Sequence, residues 1–259
     1  MSADERHFRD WPATGEAKGV VALLHGVAEH SGRYEHVAAT LNAAGYTLIA
    51  VDIRGHGRSV GWPGEIGGLD DWIADAKAVL ERARTAAGPD RPVFLMGHSL
   101  GSLIAAAYVT RAGGGGLRGL VLSSVAILAG SALLESMGDP EGQGIPSSEL
   151  SRDEAVQRAY DDDPLVFADR VPAQDLAAGL EAAMEIYAGA SGITLPVLMF
   201  HGAEDRIADP EGAKELYANL GSVDKHMKVY EALRHETMNE PEQDEVLADL
   251  IAWLDEHST

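Results

Sequence analysis

Short apolar runs that end in turn residues alternate along the chain with longer segments of helical periodicity. This alternation predicts βα units, in which helices cover both faces of a mainly parallel sheet. The predicted strands are Val20 to Leu24, Thr47 to Asp52, Val93 to Met96, Leu120 to Ser123, Val197 to Phe200 and Met227 to Tyr230. The predicted helices are Arg33 to Ala44, Leu69 to Ala87, Ser99 to Arg111, Pro210 to Leu220 and Pro241 to Glu256. We therefore expect an α/β fold.

The alternation breaks between the fourth and fifth predicted strands. Neighbouring strands of a βα unit are joined by far fewer than the ~70 residues found here. Helical patterns occupy this stretch at Ala126 to Ser136, Asp153 to Tyr160 and Ala177 to Ala188. We therefore expect residues 125–194 to form a helical cap or lid insertion, while residues 1–124 and 195–259 form the core.

The composition excludes several classes of function. The 259 residues include 41 Asp and Glu but only 20 Lys and Arg, which gives a formal net charge of −21. Such a surface repels phosphate backbones, so we expect no nucleic-acid partner. The lack of cysteine excludes disulfides, thiolate catalysis and Cys-ligated metals. Because no His or carboxylate spacing matches a metal site either, we expect no metal and no cofactor.

No segment is typical of an export signal or a membrane span. The first twenty residues carry several charges and no apolar stretch, unlike a secretory signal. The longest uncharged run, Gly119 to Leu134, is shorter than the ~18 residues of a spanning helix and contains serines and Gly130. We therefore expect a cytoplasmic protein without a transmembrane segment.

The run from Gly97 to Gly101 has the pattern Gly-x-Ser-x-Gly. It follows the strand Val93 to Met96 and opens an apolar helix at Leu100, which is the context of the nucleophile elbow in α/β hydrolases. Glycine at both flanking positions allows neighbouring backbone to approach a strained serine closely. The sequence therefore predicts an α/β-hydrolase fold with Ser99 as the nucleophile.

A serine hydroxyl needs an imidazole to take its proton, and the imidazole needs a carboxylate to fix its tautomer. In this fold both follow the serine, the acid before the histidine. Asp205 lies in the loop after the fifth predicted strand and His235 in the loop after the sixth, where open α/β sheets build active centres. We therefore predict His235 as the base and Asp205 as the acid, with Glu204 and Asp209 as alternative acids.

The first predicted strand ends in the turn His25-Gly26-Val27. In this architecture that turn supplies one oxyanion N–H, and the residue after the nucleophile supplies the other. We therefore expect the amides of Val27 and Leu100 to form an oxyanion hole. Other histidines near these loops are expected to be packed, hydrogen-bonded structural residues, namely His56, His98 and His201.

Longer motifs extend the pattern over most of the chain, from about Gly19 to Leu254. They are His25-Gly26-Val27-Ala28-Glu29-His30-Ser31-Gly32-Arg33-Tyr34, Gly55-His56-Gly57-Arg58-Ser59, Tyr160 with Asp163-Pro164-Leu165-Val166, and His201-Gly202-Ala203-Glu204-Asp205-Arg206. In these motifs the sequence resembles the bacterial-type monoacylglycerol lipases. Two departures are that Ala28 stands where the family usually has glycine, and that only about Arg6 to Trp11 is available for the two leading antiparallel strands of relatives.

The resemblance implies hydrolysis of the acyl ester of a monoacylglycerol, or a similar small lipid ester, to fatty acid and glycerol. It also implies an apolar cap that contacts a lipid surface transiently, hence peripheral membrane association. By position, Glu29, Arg33 and Tyr160 match residues that hold the glycerol end in relatives. A carboxylesterase or lysophospholipase with the same triad is the alternative.

Overall fold

The computed structural model describes residues 6–61, 67–133, 146–167 and 173–258, with the backbone alone for 173–176. The strands of these ranges are β1 Phe8–Trp11, β2 Gly19–Leu24, β3 Tyr46–Val51, β4 Val93–His98, β5 Gly119–Ser123, β6 Val197–Gly202 and β7 Lys225–Tyr230. They form one sheet in the order β1-β3-β2-β4-β5-β6-β7. Only β1 is antiparallel to its neighbour, β3, and the other pairs are parallel. The prediction of a mainly parallel sheet is confirmed.

Helices cover both faces of this sheet. They are α1 Glu35–Ala43, α2 Leu69–Ala87, α3 Leu100–Ala112, α4 Ser147–Leu150, α5 Glu154–Asp161, α6 Ala173–Gly189, α7 Pro210–Asn219 and α8 Gln243–Glu256. Buried side chains of α1 and α8 join the core on one face, whereas those of α2, α3, α6 and α7 join the core on the other. This is the layer order of the predicted fold class.

The central strands are apolar on both sides because both of their faces are covered. In β2, for example, Val20, Ala22 and Leu24 point into one core, while Val21 and Leu23 point into the other. All six residues of β2 are buried. Burial of each valine or leucine side chain of this strand stabilises the fold by about 1.5–3 kcal/mol.

One predicted helix is wrong at its start. Residues 126–130 of the predicted helix Ala126 to Ser136 are not helical, because Ala129 forms a β-bridge with Ala208 and Gly130 N donates to Ile207 O at 2.8 Å. Residues 131–133 are helical, and residues 134–136 lie outside the described part of the chain. The backbone groups of this segment therefore pair with the loop that follows Asp205.

Helix α6 packs against α3 and α2 rather than standing apart from the sheet layers. Ala178, Ala182 and Ile186 lie in the same core cluster as α3, and Glu185 forms an ion pair with Arg111 at 2.7 Å. The division into a core and an insertion at residues 125–194 stays a prediction. This packing favours an insertion that ends before α6.

The carboxyl ends of β2, β4, β6 and β7 lie at one edge of the sheet, because these strands run parallel. The loops that follow them carry most of the chemistry-bearing residues predicted from the sequence. Among the described helices, none combines the length and the hydropathy needed to cross a bilayer.

Candidate active site

Ser99 lies in a sharp turn between β4 and α3. Its backbone has φ 52° and ψ −118°, a conformation that costs a non-glycine residue about 1–3 kcal/mol. A Cβ atom on Gly101 would lie 2.0 Å from Leu24 O, and one on Gly97 would lie 2.2 Å from Gly101 O. Both positions therefore require glycine, as the motif predicts, and the strained turn holds Ser99 at the carboxyl edge of the sheet.

Asp205 and His235 are brought together by the loops after β6 and β7. His235 Nδ1 lies 2.7 Å from Asp205 Oδ2, and both side chains are almost completely buried. A Cβ atom on Gly202 would lie 2.2 Å from the carbonyl oxygens of both Leu233 and Arg234. Glycine at the end of β6 therefore permits the close approach of the two loops that this hydrogen bond needs.

The two alternative acids have other surroundings. Asp209 is the N-cap of α7, where its Oδ1 accepts a hydrogen bond from Glu211 N at 2.9 Å. Glu204 is exposed to solvent. Of the three acids considered from the sequence, Asp205 is the one that contacts His235.

The acid and the histidine shift each other's ionisation. Burial raises the pKa of Asp205, but the charge of His235 and hydrogen bonds from His201 and His235 outweigh burial, so this pKa is held well below its usual range. Burial lowers the pKa of His235, while the Asp205 charge and hydrogen bond raise it by more, so the net shift is upward. The pair therefore favours an ionised carboxylate and an imidazole that is more basic than an isolated histidine.

The serine turn and the histidine loop are connected through the last residue of β5, Ser123, and the residue after it, Ser124. Ser123 O accepts a hydrogen bond from Ser99 N at 2.9 Å, and Ser124 Oγ donates to His235 O at 2.6 Å. Ser124 has φ 46°, which is the left-handed region that L residues rarely adopt. Sequence reasoning missed Ser124, because no motif marks a hydroxyl that binds a backbone carbonyl 111 positions away.

The loop after β2 carries Val27, the first predicted oxyanion donor, and the start of α3 carries the second, Leu100. Neither amide donates a hydrogen bond to any group in the described part of the chain. Gly26 N donates to Glu29 Oε1 at 2.6 Å, and this hydrogen bond fixes the loop that carries Val27. Ala28 has φ 65°, so the residue that replaces the family's usual glycine adopts a glycine-like backbone at some cost.

Arg33 joins the loop after β2 to the loop that contains His235. Its Nη1 lies 2.7 Å from Glu29 Oε2 and 2.5 Å from Glu236 Oε1, and its Nη2 donates to Glu236 Oε2 at 2.8 Å. Tyr34 OH donates to Glu29 Oε1 at 2.7 Å, so both oxygens of Glu29 are occupied by protein groups. Sequence reasoning missed Glu236, the residue that follows the predicted base.

Tyr160, at the end of α5, lies over this cluster. The Arg33 guanidinium carbon is 4.8 Å from the centre of the Tyr160 ring, a cation–π contact. The ring is buried, and burial raises the pKa of the hydroxyl. That hydroxyl donates to no group among the described residues. The structure therefore places the three predicted glycerol-end residues together, with the Arg33 guanidinium in contact with both Glu29 and the Tyr160 ring.

Residues 163–167 rest on the loop after β2. His30 Nε2 lies 2.9 Å from Asp163 Oδ2, and Phe167 N donates to Ala28 O at 3.1 Å. The Phe167 ring also contacts the His56 ring, with centroids 4.9 Å apart. Residues 163–167 therefore lie against the loop that carries Val27, the first predicted oxyanion donor.

The three histidines expected to be structural are buried and hydrogen-bonded. His56 Nδ1 lies 3.0 Å from Arg54 O, His98 Nδ1 3.0 Å from Ser123 Oγ, and His201 Nε2 3.1 Å from Ala208 O. Burial, and then the charge of a neighbouring histidine, lower the pKa of His98 to about 4 and that of His56 to about 3. These two rings are therefore neutral at physiological pH.

Comparison with known proteins gives matches over nearly the whole chain. The family model described as "Serine aminopeptidase, S33" matches residues 15–242. The chain is 37% identical to a monoacylglycerol lipase of Mycolicibacterium smegmatis, over 95% of this chain and 91% of that protein. It is 32% identical to the monoglyceride lipase of Mus musculus, over 98% and 88%. The crystal structure of the Paleococcus ferrophilus monoacylglycerol lipase superposes with a TM-score of 0.84 and 28% identity, over 98% and 99%.

Proposed function

Because this chain belongs to the serine aminopeptidase S33 family of α/β hydrolases, with monoacylglycerol lipases among its relatives, we propose that it hydrolyses monoacylglycerols to fatty acid and glycerol. It is then a serine carboxylic ester hydrolase. The observation that carries the proposal is the buried hydrogen bond of His235 to Asp205, at the sheet edge where the strained turn holds Ser99.

In the proposed reaction Ser99 Oγ attacks the ester carbonyl while His235 Nε2 takes the hydroxyl proton. Asp205 binds Nδ1–H and so leaves Nε2 for the serine. The amides of Val27 and Leu100 stabilise the oxyanion, by ~3 kcal/mol for each such donor. The ester C–O bond then breaks as His235 gives the proton to the glycerol oxygen. A water molecule attacks the acyl-enzyme by the same route, which releases the fatty acid and restores Ser99.

We assign the glycerol end of the substrate to the cluster of Glu29, Arg33 and Tyr160. The oxygens of Glu29 and the terminal nitrogens of Arg33 are bound to protein groups, whereas the Tyr160 hydroxyl is not engaged by the described residues. Tyr160 is therefore the member that meets a glycerol hydroxyl directly. Glu29 and Arg33 hold the tyrosine ring and the loop around it in place.

Tyr160→Phe tests this assignment because it removes one hydroxyl and keeps the ring. The kcat/KM for monoacylglycerol should fall by an amount typical of one neutral hydrogen bond, ~0.5–1.5 kcal/mol. A p-nitrophenyl ester of the same acyl chain has no glycerol and should be hardly affected. Tyr187→Phe, which alters a surface hydroxyl near Glu215, is the matched control. Equal losses on both substrates would show that no headgroup pocket exists.

We also propose that α6 contacts lipid surfaces transiently. Leu180 and Met184 lie one helical turn apart, and they are 64% and 66% exposed, while the opposite side of the helix is buried. The net charge of −21 disfavours anionic headgroups, so an uncharged or zwitterionic surface is the expected partner. The cytoplasmic location stays a prediction from the sequence.

Changing Leu180 and Met184 together to serine should raise KM for long-chain monoacylglycerol in zwitterionic vesicles. The same change should leave KM for soluble p-nitrophenyl butyrate unchanged. Val223→Ser, at a fully exposed apolar residue outside α6, is the matched control. Equal effects on both substrates would indicate a packing role for Leu180 and Met184 instead.

A substrate panel separates the proposed activity from its alternatives. It should contain 1- and 2-monoacylglycerols, triacylglycerol, lysophospholipids, p-nitrophenyl esters and amino-acid p-nitroanilides. We expect monoacylglycerols to have the highest kcat/KM and triacylglycerol to be slow, because residues 163–167 cover the oxyanion loop. A preference for lysophospholipids or for simple esters would establish the alternative of a lysophospholipase or carboxylesterase. Cleavage of the anilides would establish a peptidase.

A further inference from the structure

The Asp205 carboxylate is contacted by two imidazoles. His235 Nδ1 lies 2.7 Å from Oδ2, and His201 Nε2 lies 2.9 Å from the same oxygen. The backbone amides of Ile207 and Ala208 donate to Oδ1 at 2.9 and 3.0 Å. An ionised carboxylate offers about four acceptor positions, and these four donors occupy them.

The surroundings of His201 determine where its proton lies. Nε2 is within hydrogen-bond distance of Asp205 Oδ2 and of Ala208 O, and neither oxygen can donate a proton to it. Nε2 must therefore carry the hydrogen. Nδ1 is buried and has no hydrogen-bond partner within the described ranges, so a second proton on this ring would lack an acceptor. The ring thus donates its Nε2–H, which is shared between a carbonyl and the carboxylate.

From this geometry we infer that His201 is a positioning residue, which fixes the plane of the Asp205 carboxylate and withdraws charge from the oxygen that faces His235. The inference rests on the proposed function, since it takes Asp205 and His235 as the acid and the base. His201 gains and loses no proton in the reaction. Its effect on catalysis passes through Asp205.

The strength of the base reports the effect of His201. If the His201 N–H is removed, Asp205 Oδ2 presents more negative charge to His235 and stabilises the imidazolium. The pH at which His235 becomes neutral, and hence active, then rises. Other titratable groups face His235 and are unchanged by this substitution, namely Glu29, Glu236 and His98, and Arg33 pairs with both glutamates.

Two substitutions of His201 separate its N–H from its bulk. His201→Leu removes the donor, whereas His201→Gln places an amide N–H near the position of Nε2. In His201→Leu we expect the midpoint of the kcat/KM pH profile to rise by about half a unit to one unit, the size of shift typical of a lost contact with an ionised neighbour. In His201→Gln the midpoint should return to that of the wild type. His226→Gln, at an exposed histidine, is the control.

Thermal unfolding of each variant establishes that the comparison is made on folded protein. An unshifted midpoint in folded His201→Leu, or equal shifts in His201→Leu and His201→Gln, overturns the inference. Imidazole nitrogen NMR of the wild type is a second test. We expect it to show a protonated Nε2 and an unprotonated Nδ1 on His201. A proton on Nδ1 also overturns it. A wild type that lacks ester hydrolysis would overturn the proposed function, and the NMR result would still report the His201 tautomer.

Discussion

Replacement of Arg33 by leucine should be strongly destabilising, because Arg33 separates two buried carboxylates. Glu29 and Glu236 are 3% and 4% exposed, and both receive hydrogen bonds from the Arg33 guanidinium. The leucine variant keeps both carboxylates and removes the cation between them. Removal of one partner from a buried pair costs about 3–5 kcal/mol, because the remaining charge is left uncompensated. For a chain of this size that corresponds to a fall in Tm of roughly 10 °C.

The pH dependence of this loss has a definite sign. In the wild type, burial raises the pKa of Glu236, but the charge and hydrogen bonds of Arg33 outweigh burial and hold this pKa at about 2. The stabilisation from Glu236 is therefore present above the unfolded value of about 4.5 and is lost as the pH falls through 2. Without Arg33, burial dominates and the folded pKa lies above the unfolded one. The stability gap between wild type and variant should therefore narrow as the pH falls from 8 towards 4.5.

Denaturant unfolding at several pH values measures the gap directly. Arg82→Leu is the matched control, since Arg82 also forms a two-pronged pair with a carboxylate, Asp10, but both side chains are more than 40% exposed. In Arg82→Leu the free energy of unfolding should fall by less than about 1 kcal/mol. Glu236→Gln in the Arg33→Leu background should recover part of the loss, because one buried charge is removed. This reasoning would be refuted if Arg33→Leu lowered the free energy of unfolding as little as Arg82→Leu does. It would also be refuted if the stability difference between wild type and Arg33→Leu widened at low pH.

Three further outcomes are expected. Ala28→Gly should change the free energy of unfolding by less than about 0.5 kcal/mol, because relief of the positive φ offsets the added freedom of the unfolded chain. Ala28→Val should lower the free energy of unfolding by more than about 1 kcal/mol in the same denaturant titration. The kcat/KM pH profile should rise with a midpoint above 6.5, since Asp205 raises the pKa of His235 and the base must be neutral; a midpoint below 6.5 would contradict this. Asp205→Asn should lower kcat at every pH by about four decades, whereas Asp209→Asn should keep nearly full activity; the reverse result would identify Asp209 as the acid.

Local patterns predicted the elements well wherever the periodicity and the end signals agreed. Helix α2 begins at Leu69 and ends at Ala87, as predicted, because its buried residues recur at helical spacing. The turn around Ser99 follows from two glycines that the chain packing requires. The predicted helix at 126–136 failed at its first residues, because a short apolar run does not distinguish a helix from a segment that pairs with a distant loop.

Contacts between distant residues could not be predicted from local patterns. Arg33 and Glu236 are 203 positions apart, and nothing in either motif indicates that one arginine serves two glutamates. Ser124 and His201 are similar cases, since their roles depend on which backbone or carboxylate oxygen the fold places beside them. The sequence therefore predicts that Asp205 and His235 lie close together, but it does not predict which other residues fix their positions. The catalytic roles of Ser99, Asp205 and His235 stay predictions until they are tested.

The central claim is that Ser99 is the nucleophile and that His235 activates it. The most direct test is labelling with a serine-directed alkyl phosphonate, followed by peptide mass spectrometry. We predict one modified residue, Ser99, with a label fraction that matches the loss of activity and a much slower reaction in His235→Gln. Ser102 is an internal control, because it is buried and donates to Gly97 O and Ser123 O. A label on any other residue, or a Ser99→Ala variant that keeps more than about a tenth of wild-type activity, would contradict the claim.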